Sequence, residues 1–244
     1  MNNSVVVLGD GLLGSEIVKQ TGWDNISRKK NNFDITESNK FPYFFVEDCY
    51  EGLIFSKRYK TIVNCIANTD TYSIDKKTQW EINYKGTADL VDFCNSWDIK
   101  LVHISSDYVY TNSQSNVSEE DVPVHGNNWY SYTKLLADAY IELKSKDYLI
   151  CRGTHKPYPF PYDKAWIDQI GNFDTVDVMA GLIIKLIKSD AKGLFNVGTS
   201  LKSIYDLAIK NTRTYIEPAL KPDFIPSNTS MNTDKLNKWL SENS

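Results

Sequence analysis

The chain has no long apolar run, no excess of basic charge and no closely paired cysteines. The best candidate for a membrane span, Met179 to Ile187, is short of the ~18 residues a span needs and carries Lys185. Across 244 residues, 27 Lys and Arg face 31 Asp and Glu, a formal charge of −4, so the basic footprint of a nucleic-acid binder is missing. The start, Met1-Asn2-Asn3-Ser4, has no positive charge, and Val5 to Leu8 is too short for the apolar core of a signal peptide. Cys49, Cys65, Cys94 and Cys151 form no CxxC pair, and the last three lie in apolar runs, as reduced core cysteines do. His103, His125 and His155 lack ligand spacing, so no metal site is expected. These absences predict a cytoplasmic protein with no nucleic-acid or membrane partner. Aromatic residues make up 13% of the chain, an excess that must pack a core or line a site.

Strand-like runs alternate with helical patterns. Val5 to Leu8, Asp24 to Ile26, Thr61 to Ile66, Lys100 to Ile104 and Tyr148 to Cys151 predict strands. Leu12 to Gln20 predicts a helix. Leu90, Cys94 and Trp97 fall at i, i+4 and i+7, as do Leu136, Tyr140 and Leu143, and each set predicts the inner face of a helix. Such alternation predicts α/β architecture with a doubly wound parallel sheet, and continuous apolar strands fit a sheet covered on both faces. The last third differs. Lys156 to Tyr162 holds three prolines and three aromatics in seven residues, which predicts a loop. Helices at Val176 to Ser189, Ser203 to Lys210 and Thr233 to Leu240, with a strand at Gly193 to Val197, complete a small lobe.

Gly9-Asp10-Gly11-Leu12-Leu13-Gly14 is a GxGxxG between a strand and a helix, the context in which that spacing cradles a dinucleotide. Gly9 permits a tight turn, Gly11 opens the backbone to a pyrophosphate, and Gly14 lets helix and strand approach. A βα turn without a ligand is the competing explanation. The second strand ends without an acid for a ribose 2′-OH; Ser27-Arg28-Lys29-Lys30 follows instead. Arg28, with Ser27 or Lys29, would accommodate a 2′-phosphate, which favours NADP over NAD. A solvated basic loop is the alternative.

Tyr130 and Lys134 stand at i and i+4 of a helix, on one face. A lysine ammonium one turn from a phenol favours the phenolate and brings the tyrosine toward working pH. Tyr132 has Leu136, not a lysine, at that spacing. Ser105 and Ser106 follow Ile104 at a strand end, where open α/β sheets bind ligands.

Taken together, these stretches resemble the extended short-chain dehydrogenase/reductases, and more narrowly the dTDP-4-dehydrorhamnose reductase family. The residues that carry the resemblance are Gly9-x-Gly11-x-x-Gly14, Phe33-Asp34-Ile35-Thr36, Asn64-Cys65-Ile66-Ala67, Asn83, Ser105-Ser106-Asp107-Tyr108-Val109-Tyr110, Tyr130-xxx-Lys134-Leu135 and Arg152-Gly153-Thr154. Phe195-Asn196-Val197-Gly198 and Ser230 to Leu236 extend it. The resemblance implies a Rossmann-type domain over 1–152 and a small substrate-binding lobe over 153–244, partly interleaved with it. It implies NADP(H) held by Gly9, Gly11, Leu12, Leu13, Gly14, Ser27, Arg28, Asp34, Ile35, Cys65, Ile66, Ala67, Asn83, Tyr130 and Lys134. Ser106, Tyr130 and Lys134 would be catalytic, and Ser106, Asp107 and Tyr108 would meet a nucleotide sugar.

The implied reaction is reduction of a nucleotide-linked 4-keto-6-deoxy sugar. Dehydratases of the superfamily carry an Asp-Glu pair where this chain has Asp107-Tyr108, so the resemblance implies that this chain lacks the base for water elimination. An NAD-retaining 4-epimerase and a non-catalytic NADP-binding regulatory subunit are the alternatives. The chain departs from the family in its GxGxxG spacing, where GxxGxxG is usual, and in its length. A tryptophan common after Arg-x-x is replaced by His155 and Lys156. The acidic cluster of metal-linked dimers is not evident, which leaves a homodimer open. The aromatics Tyr158, Phe160 and Tyr162 are the remaining candidates to line a sugar pocket.

Overall fold

The computed structural model describes residues 4–47, 56–212 and 214–243. Cys49 lies outside them. The chain divides into two compact units. One comprises Met1–Ile104 and Asn127–Ile150; the other comprises Ser105–Gly126 and Cys151–Ser244.

The first unit is built on parallel strands β1 (Val5–Leu8), β2 (Asp24–Ile26), β3 (Thr61–Asn64), β4 (Lys100–Ile104) and β5 (Tyr148–Arg152), in the order β5-β4-β3-β1-β2. Val6 pairs with Ile62 and with Asp24, and Ile62 pairs with Leu101, all in parallel register. The strands are apolar because both faces are covered: Val6, Val7, Leu8, Ile62, Val63, Leu101 and Val102 are fully buried. Each such side chain contributes roughly 1.5–3 kcal/mol by leaving water. From β1 the chain winds to β2 on one side, then returns to β3 and continues to β4 on the other. The winding direction therefore reverses between β1 and β3, the switch point at which open α/β sheets bind ligands.

Helix α1 (Leu12–Thr21) follows β1 and ends at Gly22, whose φ of 69° gives the left-handed C-cap. Before helix α2 (Gly86–Ser96) the chain makes a short α-helix, Lys76–Gln79, and a wide π-helical turn, Trp80–Lys85. Helix α3 (Trp129–Lys144) starts at Asn128, whose side chain accepts the Ser131 N–H. Phe33, Phe41, Phe44, Phe45 and Phe93 form a ring cluster, with Phe33 5.0 Å from Phe44 and 5.7 Å from Phe41. Much of the aromatic excess is thus core packing.

Two sequence expectations change here. Strand β3 ends at Asn64, not Ile66, because the Ile66 N–H turns to Asn64 Oδ1 at 3.1 Å. The inner face of α3 is not Leu136, Tyr140 and Leu143. Leu143 is 81% exposed, and the buried face is Ser131, Lys134, Ala137, Asp138 and Ile141. That face is small and polar, so hydrophobic periodicity passes over it.

The second unit contains the last residues of β5, strand β6 (Gly193–Asn196) and helices α4 (Val176–Lys188), α5 (Ile204–Lys210) and α6 (Asp234–Glu242). β6 lies beside β5, and the Val197 N–H donates to the Arg152 carbonyl at 2.7 Å. Ser203 and Asp206 form a reciprocal capping box on α5. The expected loop after Arg152 contains a short strand, His155–Lys156, paired in parallel with Asp174–Thr175. Phe160 packs with Ala165, Phe173, Ile204, Leu207 and Ile216 in the core of this unit, while Tyr158 and Tyr162 are exposed. Phe160 is therefore a core residue, not a lining one.

Candidate active site

In the first unit, two loops flank the switch point. One is the turn from β1 into α1. Gly9 has a φ of 93°, a region L side chains avoid, and a Cβ on Gly14 would fall 2.5 Å from the Gly9 carbonyl oxygen. A Cβ on Gly11 would meet nothing within 4 Å. Space above Gly11 is therefore open, and the first N–H groups of α1 have no partner within the helix. That combination fits a pyrophosphate. The second loop is Cys65-Ile66-Ala67, which starts with the Cys65 N–H on the Leu8 carbonyl at 3.0 Å. Burial pushes the Cys65 thiol up to about 12, so it stays protonated and contributes shape only.

The loop after β2 is organised differently from the sequence expectation. Ser27 is fully buried, and its hydroxyl donates to Asp10 Oδ2 at 3.1 Å and accepts the Lys30 N–H at 3.2 Å. It ties this loop to the phosphate turn and caps residues 28–31, leaving Arg28 and Lys29 exposed beside it. Arg28 is ion-paired with Asp34. Burial raises the Asp34 carboxyl, but hydrogen bonds from Thr36 and the Arg28 guanidinium outweigh this and hold it below its ordinary value. Ile35 is buried, and its side chain and carbonyl would lie 3.0 Å from a Cβ on Gly86, so it seats α2.

Asn83 comes from the wide turn before α2 and is buried. Its Oδ1 accepts the Asn68 N–H at 2.8 Å. Its Nδ2 donates to the Asn68 carbonyl at 3.1 Å and to Gln79 Oε1 at 2.6 Å, and lies 3.4 Å from Thr133 Oγ1. It holds the loop after Ala67 and ties it to α3.

On α3, Tyr130 is half-buried and Lys134, one turn on, is 1% exposed. Lys134 Nζ donates to the Ile104 carbonyl at 2.7 Å and lies 3.0 Å from His103 Nε2. Burial brings Lys134 down to about 8, against the upward pull of the Asp138 carboxylate. Tyr132 packs edge-on against Trp129 at 5.6 Å, at the start of the helix. Sequence reasoning assigned His103 only to structure and gave Asn64 no role. The available signal was polarity: two amide or imidazole side chains in otherwise apolar strands.

In the second unit, Ser105, Ser106 and Asp107 are buried. Ser106 Oγ accepts the Tyr108 N–H at 3.2 Å, capping a short turn, and donates to Asp107 Oδ1 at 3.3 Å. Asp107 also accepts from Thr154. Burial raises its carboxyl and lowers the nearby Lys156 ammonium, each toward neutrality. A further hub explains the remaining motif residues. Arg152 Nη1 donates to Tyr110 Oη at 2.7 Å, Tyr110 donates to Asn196 Oδ1 at 3.0 Å, and Asn196 Nδ2 donates to the Val117 and Asn232 carbonyls. Among the described residues no group of three or more His, Cys, Asp or Glu could hold a metal ion, and no helix is long and apolar enough to cross a membrane.

The family model for the RmlD substrate binding domain matches residues 3–155. A curated relative, ADP-L-glycero-D-manno-heptose-6-epimerase of Brachyspira hyodysenteriae, is 26% identical over 156 residues, which are 59% of this chain and 49% of that protein. The chain thus aligns with about half the length of this curated relative. Among solved structures, a dTDP-4-dehydrorhamnose reductase of Bacillus anthracis in complex with NADP superposes with a TM-score of 0.79 at 20% identity, covering 98% of this chain and 92% of that one. A dTDP-4-dehydrorhamnose reductase of Clostridium acetobutylicum gives 0.78 at 22% identity, with 97% and 92% covered. These structures share the fold, a Rossmann-type parallel sheet. With more than half its length matched by the family model, the chain belongs to the RmlD substrate binding domain family.

Proposed function

We propose that the protein is an NADPH-dependent reductase of the 4-keto group of a nucleotide-linked 4-keto-6-deoxy sugar, acting in the cytoplasm. The observation that carries this reading is the Tyr130–Lys134 pair, a half-buried phenol one turn from a buried lysine anchored on the end of β4. The glycine turn with open space above Gly11, and the exposed Arg28 for a 2′-phosphate, fit NADP(H); the Bacillus anthracis structure is a complex with NADP. When bound, NADPH supplies the hydride for C4.

The chain supplies everything else. Tyr130 gives its phenolic proton to the oxygen that becomes the 4-hydroxyl, balancing the hydride added at carbon. Lys134 stabilises the resulting phenolate and holds the nicotinamide ribose. The Ser106 hydroxyl turns from Asp107 to the carbonyl oxygen and orients it, with Asp107 and Tyr108 beside the sugar. Ser27 and Asn83 act by holding the two loops at the switch point. Positioning of this kind accounts for much of the rate.

The test is NADPH oxidation with dTDP- and UDP-linked 4-keto-6-deoxy sugars, with and without a 3,5-epimerase. Turnover that is abolished in Tyr130→Phe, with NADPH binding retained, is expected. NADPH binding without turnover of any sugar nucleotide overturns the reading. Epimer formation on tightly held NAD, with no NADPH consumed, would move the protein to the epimerases.

A further inference from the structure

Lys134 has an unusual neighbour. Its Nζ lies 3.0 Å from His103 Nε2, and the ring's other nitrogen, Nδ1, lies 3.4 Å from Asn64 Nδ2. His103 and Asn64 are both fully buried. The Asn64 amide is oriented from its other end, because Oδ1 accepts the Ile66 N–H at 3.1 Å. Its Nδ2 therefore faces the ring as a donor, also within 3.5 Å of Thr87 Oγ1. A donor at Nδ1 makes that nitrogen the acceptor and puts the imidazole proton on Nε2. Nε2–H then points at Lys134. An ammonium has three donors and no acceptor, so the 3.0 Å contact is a hydrogen bond only when the lysine is a neutral amine. The next acceptor, Asp138 Oδ1, is 3.9 Å from Nε2, too far to take the proton instead.

We propose that Asn64 and His103 are positioning residues that set the protonation of Lys134: Asn64 fixes the Nε2–H tautomer, and that proton opposes the ammonium form of the lysine. The consequence is a lysine that gains and loses its proton near working pH. The groups facing it from the surrounding elements are consistent with this. From β4 comes the imidazole, which burial keeps neutral. Beyond β3 comes the protonated thiol of Cys65. On α3 itself stand Asp138, which favours the ammonium, and Tyr130 one turn away. Among the described residues, His103 is the one whose ring nitrogen lies 3.0 Å from Lys134 Nζ. In the reaction proposed above, on which the kinetic part rests, activity falls on the alkaline side as Lys134 loses its proton.

The experiment has one arm that needs no turnover. Nitrogen NMR of the intact protein, labelled at histidine and lysine, reads the His103 tautomer and the Lys134 titration directly. Nε2–H with a bare Nδ1 is expected; a proton on Nδ1 overturns the proposal. In His103→Gln the side-chain carbonyl can accept from the ammonium, and the Lys134 midpoint is expected to rise by about one pH unit or more. An unchanged midpoint in a folded variant overturns it. With the reductase assay, the alkaline limb of kcat/KM should move by the same amount. A purely structural role for His103 would change amplitude and leave that limb in place. Failure of the reductase reading would silence the kinetic arm and leave both NMR readouts standing.

Discussion

Arg28 pairs with Asp34 through Nη2 and Oδ2, although the arginine side chain is 69% exposed. The carboxylate holds the guanidinium beside the loop that follows β2. Arg28→Ala should weaken NADPH about 10-fold or more, the worth of one charge-assisted contact, and leave NADH nearly unchanged. Titration of both cofactors by fluorescence checks this, and an equal loss for both would refute the 2′-phosphate assignment. Asp34→Asn should show a smaller loss of the same selectivity, because the arginine remains but is no longer held.

The two inner glycines of the phosphate turn separate folding from binding. Gly14→Ala places a methyl group 2.5 Å from the Gly9 carbonyl oxygen, so backbone must move. We expect a cost of about 1–3 kcal/mol in thermal or urea unfolding. Gly11→Ala meets nothing within 4 Å and keeps an ordinary φ of −66°. It should unfold like the wild type and bind the dinucleotide poorly. Normal binding by Gly11→Ala would mean that the open space is not the pyrophosphate site.

Asn196 is the polar centre of the second unit. Replacing it with alanine removes the acceptor that Asn196 offers the Tyr110 O–H and its donor to the Asn232 carbonyl, while the Val117 carbonyl keeps the Asn232 N–H at 2.8 Å. Each buried group left without a partner costs about 1–3 kcal/mol. A fall in unfolding free energy of about 1–3 kcal/mol is expected by urea denaturation. A loss under about 1 kcal/mol would show that water replaces the hub.

Stability should fall on acidification. Burial lowers His155 to about 4 from an ordinary 6.5, and also holds His103 well below that ordinary value. Between those values the unfolded chain takes up protons that the folded chain refuses, so the folded state loses ground as pH drops below 6.5. The His155 contribution is complete above 6.5 and exhausted near 4. Urea midpoints measured from pH 7.5 down to 4.5 should decline, and His155→Gln should flatten the decline. An identical slope in that variant would remove His155 from the balance.

The strands of the first unit were legible because burial on both faces leaves continuous β-branched runs, as in Val5 to Leu8. The phosphate turn and the Tyr130–Lys134 spacing were legible because both are local, set within a few residues. What sequence could not display was polar chemistry inside the core. The inner face of α3 carries Ser131, Lys134 and Asp138, so an apolar search selected Leu143, which faces water. Asn64 and His103 sit among strand residues as core residues would. Tyr110 and Asn196 are 86 positions apart, and only folding makes them neighbours. Phe160 was aromatic and proline-flanked, which suits a pocket wall and a core equally.

The wide turn Trp80–Lys85 works as a phase adjuster. Its hydrogen bond from the Gly86 N–H reaches back five residues to the Glu81 carbonyl, one more than an α-helix spans. One residue advances an α-helix by about 100°, so the extra residue rotates everything downstream relative to everything upstream. That offset lets Gln79 and Asn83 hold the same loop while Ala88, Val91 and other residues of α2 still turn inward. Removing a single residue from the turn would restore a regular helix and point either the loop clamp or the α2 core face the wrong way. The helix can keep only one of them, so the length of this segment is itself a structural requirement.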